Sequence, residues 1–150
     1  MADLKLVQAG VQHLDELVPL FDAYRVFYRK DSDVDAARVY LTSCLSQLEA
    51  IVFVAYLNEK AAGFTLLYPT FSSAAMARIW TLNDLFVNPD ARGKGLGEAL
   101  LKEAVSFAKV SGAVRLTLKT EVSNRTAQRV YERLGWQRDS SFHSYDFALG

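Results

Sequence analysis

The segment from Trp80 to Leu101 contains the residues whose spacing most directly suggests chemistry, because a glycine-rich turn separates an apolar strand pattern from a helix pattern. Gly93, Gly95 and Gly97 stand at alternate positions where this helix should begin. Glycine leaves backbone N–H groups uncovered, and a helix start adds unpaired donors and partial positive charge. The spacing therefore predicts an anion cradle that suits a pyrophosphate.

Two common nucleotide-binding motifs do not fit this glycine spacing. A dinucleotide fingerprint requires G-x-G-x-x-G and an acidic residue at the end of the next strand, whereas here the glycines run G-x-G-x-G and no acidic residue closes that strand. A Walker A loop requires Ser or Thr directly after Gly-Lys, whereas Gly95 follows Lys94. The glycine spacing therefore disfavours both a dinucleotide-binding site and a Walker A loop.

The hexapeptide Arg92-Gly-Lys-Gly-Leu-Gly97 resembles the R/Q-x-x-G-x-G/A signature of the GCN5-related N-acetyltransferase (GNAT) family, which meets the pyrophosphate of acetyl-CoA. Asn124, Ala127 and the segment Val130–Trp136 resemble the second conserved region of that family. The resemblance spans residues 78 to 136 and implies acetyl transfer from a thioester to an amine. Within the family, Leu82–Val87 and the 22–28 segment are similar to the diamine (spermidine/spermine) and yeast histone-and-polyamine acetyltransferase branch.

The resemblance also implies which residues bind the cosubstrate acetyl-CoA. Backbone groups at the end of the 78–87 strand would bind the pantetheine amides, and a strand N–H would stabilise the thioester oxygen as it gains charge. Arg92 and the glycine-turn amides would hold the pyrophosphate. The implied residues are Leu85, Phe86, Val87, Arg92, Gly93, Lys94, Gly95, Leu96, Gly97, Glu98, Asn124, Ala127 and Tyr131.

Two proton transfers need side chains. An alkylammonium has a pKa of about 10.4, so freeing its lone pair at pH 7 costs about 4.6 kcal/mol and calls for an acceptor. Polyamine-acetylating relatives carry a Glu where this chain has Asn83, and an amide is not a base. Asp84 could be the base if a bulge turns it toward Asn83, since strict alternation would place the two on opposite faces. A water relay organised by Asn83, or a carboxylate from the first helix, are the other options.

At the leaving group, Tyr131 is implied to donate a hydrogen bond to the departing thiolate. The acceptor pocket should be bordered by the first two helices and the segment that begins at Tyr68, with aromatic faces and carboxylates to attract a cationic amine. Candidate pocket residues are Tyr24, Tyr28, Asp31, Tyr68 and Asn83, although Asp31 also suits a solvated loop. Neither histidine has a partner at metal-ligand spacing, so no metal is expected.

Composition limits the other functions. The 150 residues suit one domain, 1–150, and 17 basic residues balance 17 acidic ones, so no net charge favours nucleic acid or an anionic membrane. A single cysteine, Cys44, and the absence of a signal-peptide or membrane-span pattern make the cytoplasm the expected location. Apolar residues near the C-terminus suggest a sheet edge that another surface covers. Enzymes of the family that this chain resembles often form dimers, so a homodimer is expected.

The pattern along the chain predicts an α+β fold with a mixed, mostly antiparallel, twisted sheet of six or seven strands and four helices. The expected strands span 4–9, 51–57, 61–69, 78–87, 114–120 and 142–149, and the expected helices span 11–25, 33–48, 97–110 and 123–134. Asn58–Lys60 should form a hairpin turn, and 70–77 should be a loop. The strands near 78–87 and 114–120 should be parallel and splayed. Pro19 could kink the first helix or begin it.

The sequence thus predicts an acetyl-CoA-dependent N-acetyltransferase acting on a small primary amine, such as a polyamine, a diamine or an amino-acid-like amine. Acetylation of a protein or peptide amine is the enzymatic alternative. A non-catalytic CoA-binding module is the other alternative, which the missing Glu at Asn83 favours and the presence of Tyr131 opposes.

Overall fold

The computed structural model describes residues 3–150. They divide into two compact units, one ending at Leu118 and the other running from Lys119 to Gly150. In the described part of the chain, no helix is long and apolar enough to span a membrane.

The first unit contains a five-stranded sheet and three helices. Its elements are β1 (Leu4–Gln8), α1 (Leu14–Phe27), α2 (Val34–Ser46), β2 (Ile51–Leu57), β3 (Lys60–Ser72), β4 (Ala77–Val87), α3 (Leu96–Val110) and β5 (Arg115–Leu118). The strands lie in the order β1-β2-β3-β4-β5, with antiparallel pairing as far as β4 and parallel pairing between β4 and β5. The second unit contains helix α4 (Arg125–Arg133). The mixed sheet, the four helices and the α+β class are as predicted.

The predicted strand count was wrong, because the described residues form five strands rather than six or seven. The segment 142–149 alternates in polarity as a strand would, but it forms no strand. Phe142, Tyr145 and Phe147 are 83%, 90% and 89% exposed. Alternation predicts a strand only where a neighbouring strand pairs with the segment and one of its faces is covered, and neither occurs here.

The helices begin close to the predicted positions. Asp33 caps α2, since its side chain accepts a 3.0 Å hydrogen bond from the Ala36 N–H. Pro19 lies inside α1, which follows a 3-10 turn at Val11–His13, so the proline does not begin the helix. Leu48 was wrongly placed in the second helix: it follows α2 with a positive φ of 54° and is 77% exposed.

The connections from β2 to β3 and from β3 to β4 also lie close to their predicted positions. Asn58 and Glu59 both have positive φ, which is the geometry of a tight hairpin turn between β2 and β3. The predicted loop at 70–77 is shorter in the structure, because β3 continues to Ser72 and β4 begins at Ala77. Continued pairing from Thr70 with Ile79 to Ser72 with Ala77 overrides the loop-like composition.

The sheet is covered on both faces, which fixes the faces of its strands. Val52 and Val54 of β2 pack into the core formed with α1 and α2. The intervening Phe53 packs instead against Phe107 of α3, with ring centroids 5.7 Å apart. Alternate residues therefore face opposite layers, and the side chains on the α1–α2 face are those that build the site below.

Candidate active site

A bulge in β4 brings Asn83 and Asp84 together. Leu66 of β3 pairs with Asp84, but the next residue, Leu67, pairs with Leu82, so Asn83 is the extra residue. The Asn83 Nδ2 group donates a 2.8 Å hydrogen bond to Asp84 Oδ1. The bulge thus removes the strict alternation that would have separated the two side chains.

Asp84 is a buried carboxylate on the α1–α2 face. It is only 3% exposed, and burial raises the pKa of its carboxyl, while hydrogen bonds from Tyr24 and Asn83 oppose that shift. The backbone carbonyl of Asp84 accepts a 2.8 Å hydrogen bond from the Thr65 hydroxyl, which is fully buried. Desolvation disfavours the charged form of a carboxylate, so Asp84 is a stronger proton acceptor than an exposed Asp.

Three tyrosines from three elements lie close enough to this carboxylate to feel its charge. Tyr24 lies on α1, Tyr40 on α2 and Tyr68 on β3, and the Tyr40 and Tyr68 hydroxyl oxygens are 2.5 Å apart. Burial is the main cause that raises the pKa of each hydroxyl, and the charge of Asp84 raises all three further. These tyrosines therefore remain protonated hydrogen-bond donors at neutral pH.

Two other residues predicted to line the pocket of the acceptor amine, Tyr28 and Asp31, lie nearer to the surface than Asp84. The Tyr28 ring packs 5.0 Å from the Tyr24 ring and is 47% exposed, so it lies at the rim of this cluster. Asp31 is exposed, and among the described residues its only hydrogen bond is the 2.9 Å bond that its backbone carbonyl accepts from Arg25. The structure therefore places Tyr24, Tyr28, Tyr68 and Asn83 on the same side of the sheet, and within residues 3–150 the Asp31 carboxylate forms no hydrogen bond or ion pair.

Sequence reasoning missed two residues of the cluster. Tyr40 is adjacent to the buried Leu41 and one helical turn before the buried Cys44, and that position was the available signal. Thr65 is the polar residue in the otherwise apolar segment 61–67 of β3, where a buried hydroxyl needs a partner.

The edge of β4 beyond Leu82 has no strand partner on the β5 side within the described residues. The parallel ladder runs from Ile79 paired with Arg115 to Leu82 paired with Leu118 and ends there. The Asn83 carbonyl accepts from the Tyr24 hydroxyl at 3.5 Å and the Val87 carbonyl from Arg92 at 3.0 Å. The other backbone groups on that edge of 83–87 are available to an extended ligand with amide groups, as pantetheine has. This is the separation of strands that was predicted at this position.

The glycine turn leads directly into α3. Gly93 and Gly95 have φ values of 77° and 84°, and Gly95 occupies the N-cap position of the helix. Within the described chain no side chain caps this helix start, so the N–H groups of its first turn have no capping acceptor. The uncapped turn fits an anionic group.

Arg92 is held at the end of β4 beside that turn. Its Nε donates a 3.0 Å hydrogen bond to the Val87 carbonyl, and its guanidinium lies 5.5 Å from the Phe27 ring centroid and 5.8 Å from that of Phe86. Lys94 is exposed in the turn, and Glu98 pairs with Lys102 at 3.2 Å. Arg92 is thus positioned by the strand end while its remaining donors are available for an anion.

In the second unit, Asn124 caps α4. Its Oδ1 accepts a 3.2 Å hydrogen bond from the Ala127 N–H, which explains the three-residue spacing of the pair. Tyr131 is partly buried two turns further along the helix, with its ring 6.1 Å from that of Trp136. The Asn–Ala pair therefore has a clear local role in starting the helix that carries Tyr131.

Comparison with known proteins identifies the class. Residues 14–136 match the family model described as "Acetyltransferase (GNAT) family". The chain is 44% identical to the "Uncharacterized N-acetyltransferase YhfO" of Bacillus subtilis, over 95% of each chain. It is also similar to the crystal structure of a "probable acetyltransferase", with a TM-score of 0.92, 38% identity and coverage of 97% of this chain and 98% of that one.

A third relative has a named substrate. The "Thialysine N-epsilon-acetyltransferase" of Caenorhabditis elegans is 24% identical over 91% of this chain and 84% of its own length. Taken together, the family match and the first relative show that this chain belongs to the GNAT acetyltransferase family. It is an N-acetyltransferase that takes its acetyl group from acetyl-CoA.

Proposed function

We propose that this protein acetylates the primary amine of a small cationic molecule, such as a polyamine, a diamine or an amino acid with an amine side chain. The observation that carries the proposal is the buried Asp84 carboxylate, which accepts hydrogen bonds from Tyr24 and Asn83 and whose charge acts on Tyr40 and Tyr68, beside the unpaired edge of β4. Aromatic faces and one carboxylate are the groups that attract an alkylammonium. The acetylation of thialysine by the C. elegans relative, as its name states, is consistent with such an acceptor.

In the proposed reaction Asp84 is the general base. The ammonium transfers a proton to Asp84, directly or through a water held by Asn83, and the freed nitrogen attacks the thioester carbonyl. The C–N bond forms, the C–S bond breaks, and the attacking nitrogen gives its second proton to the departing thiolate, which leaves as the CoA thiol. A β4 backbone N–H beyond Leu82 stabilises the oxygen that gains charge. The raised pKa of Asp84 narrows the gap to the ammonium pKa of about 10.4 and so lowers the cost of this transfer.

Tyr131 is the proposed partner of the leaving group. A thiol with a pKa of about 8.5 is more acidic than a phenol with a pKa of about 10, so full proton transfer from Tyr131 is uphill. A hydrogen bond from the phenol to the thiolate is enough to stabilise the developing charge. Arg92 and the amides of the glycine turn, residues 93–98, would hold the pyrophosphate.

The proposal is tested by measuring CoA thiol release from acetyl-CoA with a panel of amines. The panel should include spermidine, putrescine, lysine, thialysine and peptides with a free N-terminus or an internal lysine. Turnover with the small amines supports the proposal, and turnover with the peptides alone would replace it with protein acetylation. Acetyl-CoA binding without turnover on any amine would indicate a non-catalytic module.

We also propose that the protein acts as a homodimer. The mostly exposed aromatic residues Phe142, Tyr145 and Phe147 would be covered in such an assembly. Sedimentation equilibrium of the full chain tests this, since a monomer at micromolar concentration would contradict it.

A further inference from the structure

Phe27, the last residue of α1, is an exposed aromatic side chain that lies against Arg92. It is 58% exposed, so burial in the core does not explain its position. Its ring centroid lies 5.5 Å from the Arg92 guanidinium and 6.2 Å from the ring centroid of Phe86. Phe86 is buried in the core, and its ring centroid lies 5.8 Å from the same guanidinium. One ring from the sheet and one ring from a helix therefore contact the guanidinium.

These contacts restrict a side chain that would otherwise have many conformations. Arg92 is exposed, and an exposed arginine loses conformational entropy when an anion orders it. Its Nε is already fixed by the 3.0 Å hydrogen bond to the Val87 carbonyl, and the attraction between a cation and ring faces holds the guanidinium carbon as well. The two terminal amino groups, with four N–H bonds, remain for a ligand. Arg92 is therefore ordered before an anion binds.

The end of α1 is itself fixed, so Phe27 does not lie on a loose loop. The Arg29 N–H donates to the Val26 carbonyl and the Lys30 N–H donates to the Arg25 carbonyl, both at 2.9 Å. These two bonds, together with a φ of 66° at Arg29, form a Schellman motif, which ends a helix at a left-handed residue. Glycine usually occupies that position, because other residues are strained there. The helix therefore ends at a defined residue and places the Phe27 ring on its last turn.

We propose that Phe27 is a positioning residue for acetyl-CoA, because its ring holds the Arg92 guanidinium where the pyrophosphate binds. This inference rests on the role proposed above for Arg92. Phe27 acts on the free protein: it orders Arg92 in advance, so less conformational entropy is lost when the cosubstrate binds. The ring therefore raises the affinity for acetyl-CoA and leaves the chemical step unchanged.

The first test is calorimetric titration of the full chain with CoA. Phe27→Leu keeps an apolar side chain next to Phe86 but removes the ring, so it should raise the Kd for CoA about fivefold, the order of one cation–π contact. The KM for acetyl-CoA should rise by a similar factor, whereas kcat at saturating acetyl-CoA should stay at the wild-type value. Phe27→Tyr retains the ring and should bind CoA as the wild type does.

Phe71→Leu is the matched control, because Phe71 is also an exposed phenylalanine that lies over an arginine. It is 69% exposed, and its ring centroid lies 4.5 Å from the Arg78 guanidinium. The pair of Phe71 and Arg78 lies near the start of β4, at the opposite end of that strand from Val87. Phe71→Leu therefore loses the same kind of contact away from the glycine turn and should leave the Kd for CoA unchanged.

The second test is a double-mutant cycle with Arg92→Gln, again read out as the Kd for CoA. Arg92→Gln should weaken CoA binding, and adding Phe27→Leu should weaken it no further, because the ring then has no cation to hold. Equal weakening by Phe27→Leu in both backgrounds would overturn the proposal. Wild-type affinity in Phe27→Leu, or a Phe27→Tyr variant as weak as Phe27→Leu, would overturn it as well.

The same titrations separate this inference from the proposed function. Wild-type CoA affinity in Arg92→Gln would remove Arg92 from the cosubstrate site and overturn the inference together with its premise. The titrations contain no amine, so they do not depend on which acceptor the protein uses. A protein that shows the expected pattern of CoA binding but acetylates no amine overturns the proposed function and supports the role of Phe27.

Discussion

The side-chain amide of Asn83 donates a 2.8 Å hydrogen bond to Oδ1 of Asp84, the next residue on the same strand. Neighbouring residues of a regular strand cannot do this, because their side chains lie on opposite faces. The bulge at Asn83 permits it and turns the carboxylate toward Tyr24 and Asn83 on the α1–α2 face. At this position the strand therefore carries a hydrogen-bonded pair whose acidic member is the second residue, Asp84.

Thr65 should position Asp84 without touching substrate. Thr65→Val keeps the shape of the side chain but leaves the Asp84 carbonyl without its buried donor, which costs about 1–3 kcal/mol of unfolding free energy. It should also lower kcat and shift the acid limb of the pH profile, whereas KM for acetyl-CoA stays close to wild type. Urea unfolding and steady-state kinetics measure these effects.

Thr65→Ser restores the hydroxyl and is the control for that prediction. It should recover the wild-type pH profile even though it loses a buried methyl group. A Val variant with an unchanged pH profile would show that Thr65 contributes to stability alone.

Gly95 should be needed for its backbone conformation at the acetyl-CoA cradle. Gly95→Ala places a Cβ on a residue with a φ of 84°, at a cost of about 1–2 kcal/mol, although nothing lies within 4 Å of that Cβ. Because the strain would distort the turn, KM for acetyl-CoA should rise several-fold.

Gly112→Ala is the matched control, since Gly112 follows α3 with a φ of 82° and also has open space around its Cβ. Both variants should lose similar stability in thermal unfolding, but only Gly95→Ala should raise KM for acetyl-CoA. Equal KM values in the two variants would remove the glycine turn from cosubstrate binding.

Tyr131 should act on the leaving group rather than on cosubstrate affinity. Tyr131→Phe removes the hydroxyl that would stabilise the thiolate and should lower kcat about 10- to 100-fold, while the affinity for CoA changes little. Stopped-flow thiol release and CoA titration separate the two effects. Wild-type turnover in this variant would exclude Tyr131 from the mechanism.

Asp84→Asn should stabilise the fold at neutral pH while it removes activity. Because burial raises the pKa of Asp84 in the folded state, stability is lost as pH rises from the unfolded value near 3.8 through the folded pKa. The Asp84→Asn variant does not lose this stability, because Asn carries no charge. Its Tm should therefore exceed the wild-type Tm at pH 7, and the difference between the two Tm values should shrink toward pH 3. A lower Tm at pH 7 would mean that the carboxylate is better paired than the structure indicates.

Local signals in the sequence predicted much of this fold. Helix and hairpin starts depend on a few adjacent residues, so the hairpin turn at Asn58–Lys60 and the glycine entry to α3 were recognisable. The cluster around Asp84 was predicted only in part, because the pairing of β3 with β4 fixes the bulge and Tyr40 and Thr65 approach Asp84 only after folding. The strand predicted at 142–149 does not form in the described residues for a similar reason. Alternation of apolar and polar residues does not show whether a neighbouring strand will pair with the segment.

The central claim is that Asp84 is the base of an amine acetyltransferase. The most direct measurement is the pH dependence of kcat/KM for the best small amine, compared between wild type and Asp84→Asn at saturating acetyl-CoA. In wild type, kcat/KM should rise with pH as Asp84 ionises, with an acid limb above the usual Asp value near 3.8. Asp84→Asn should lose at least about 100-fold in kcat/KM and lack that limb, because general-base catalysis contributes on the order of 10²–10⁴-fold. An Asn variant with near-wild-type kcat/KM and the same acid limb would contradict the account.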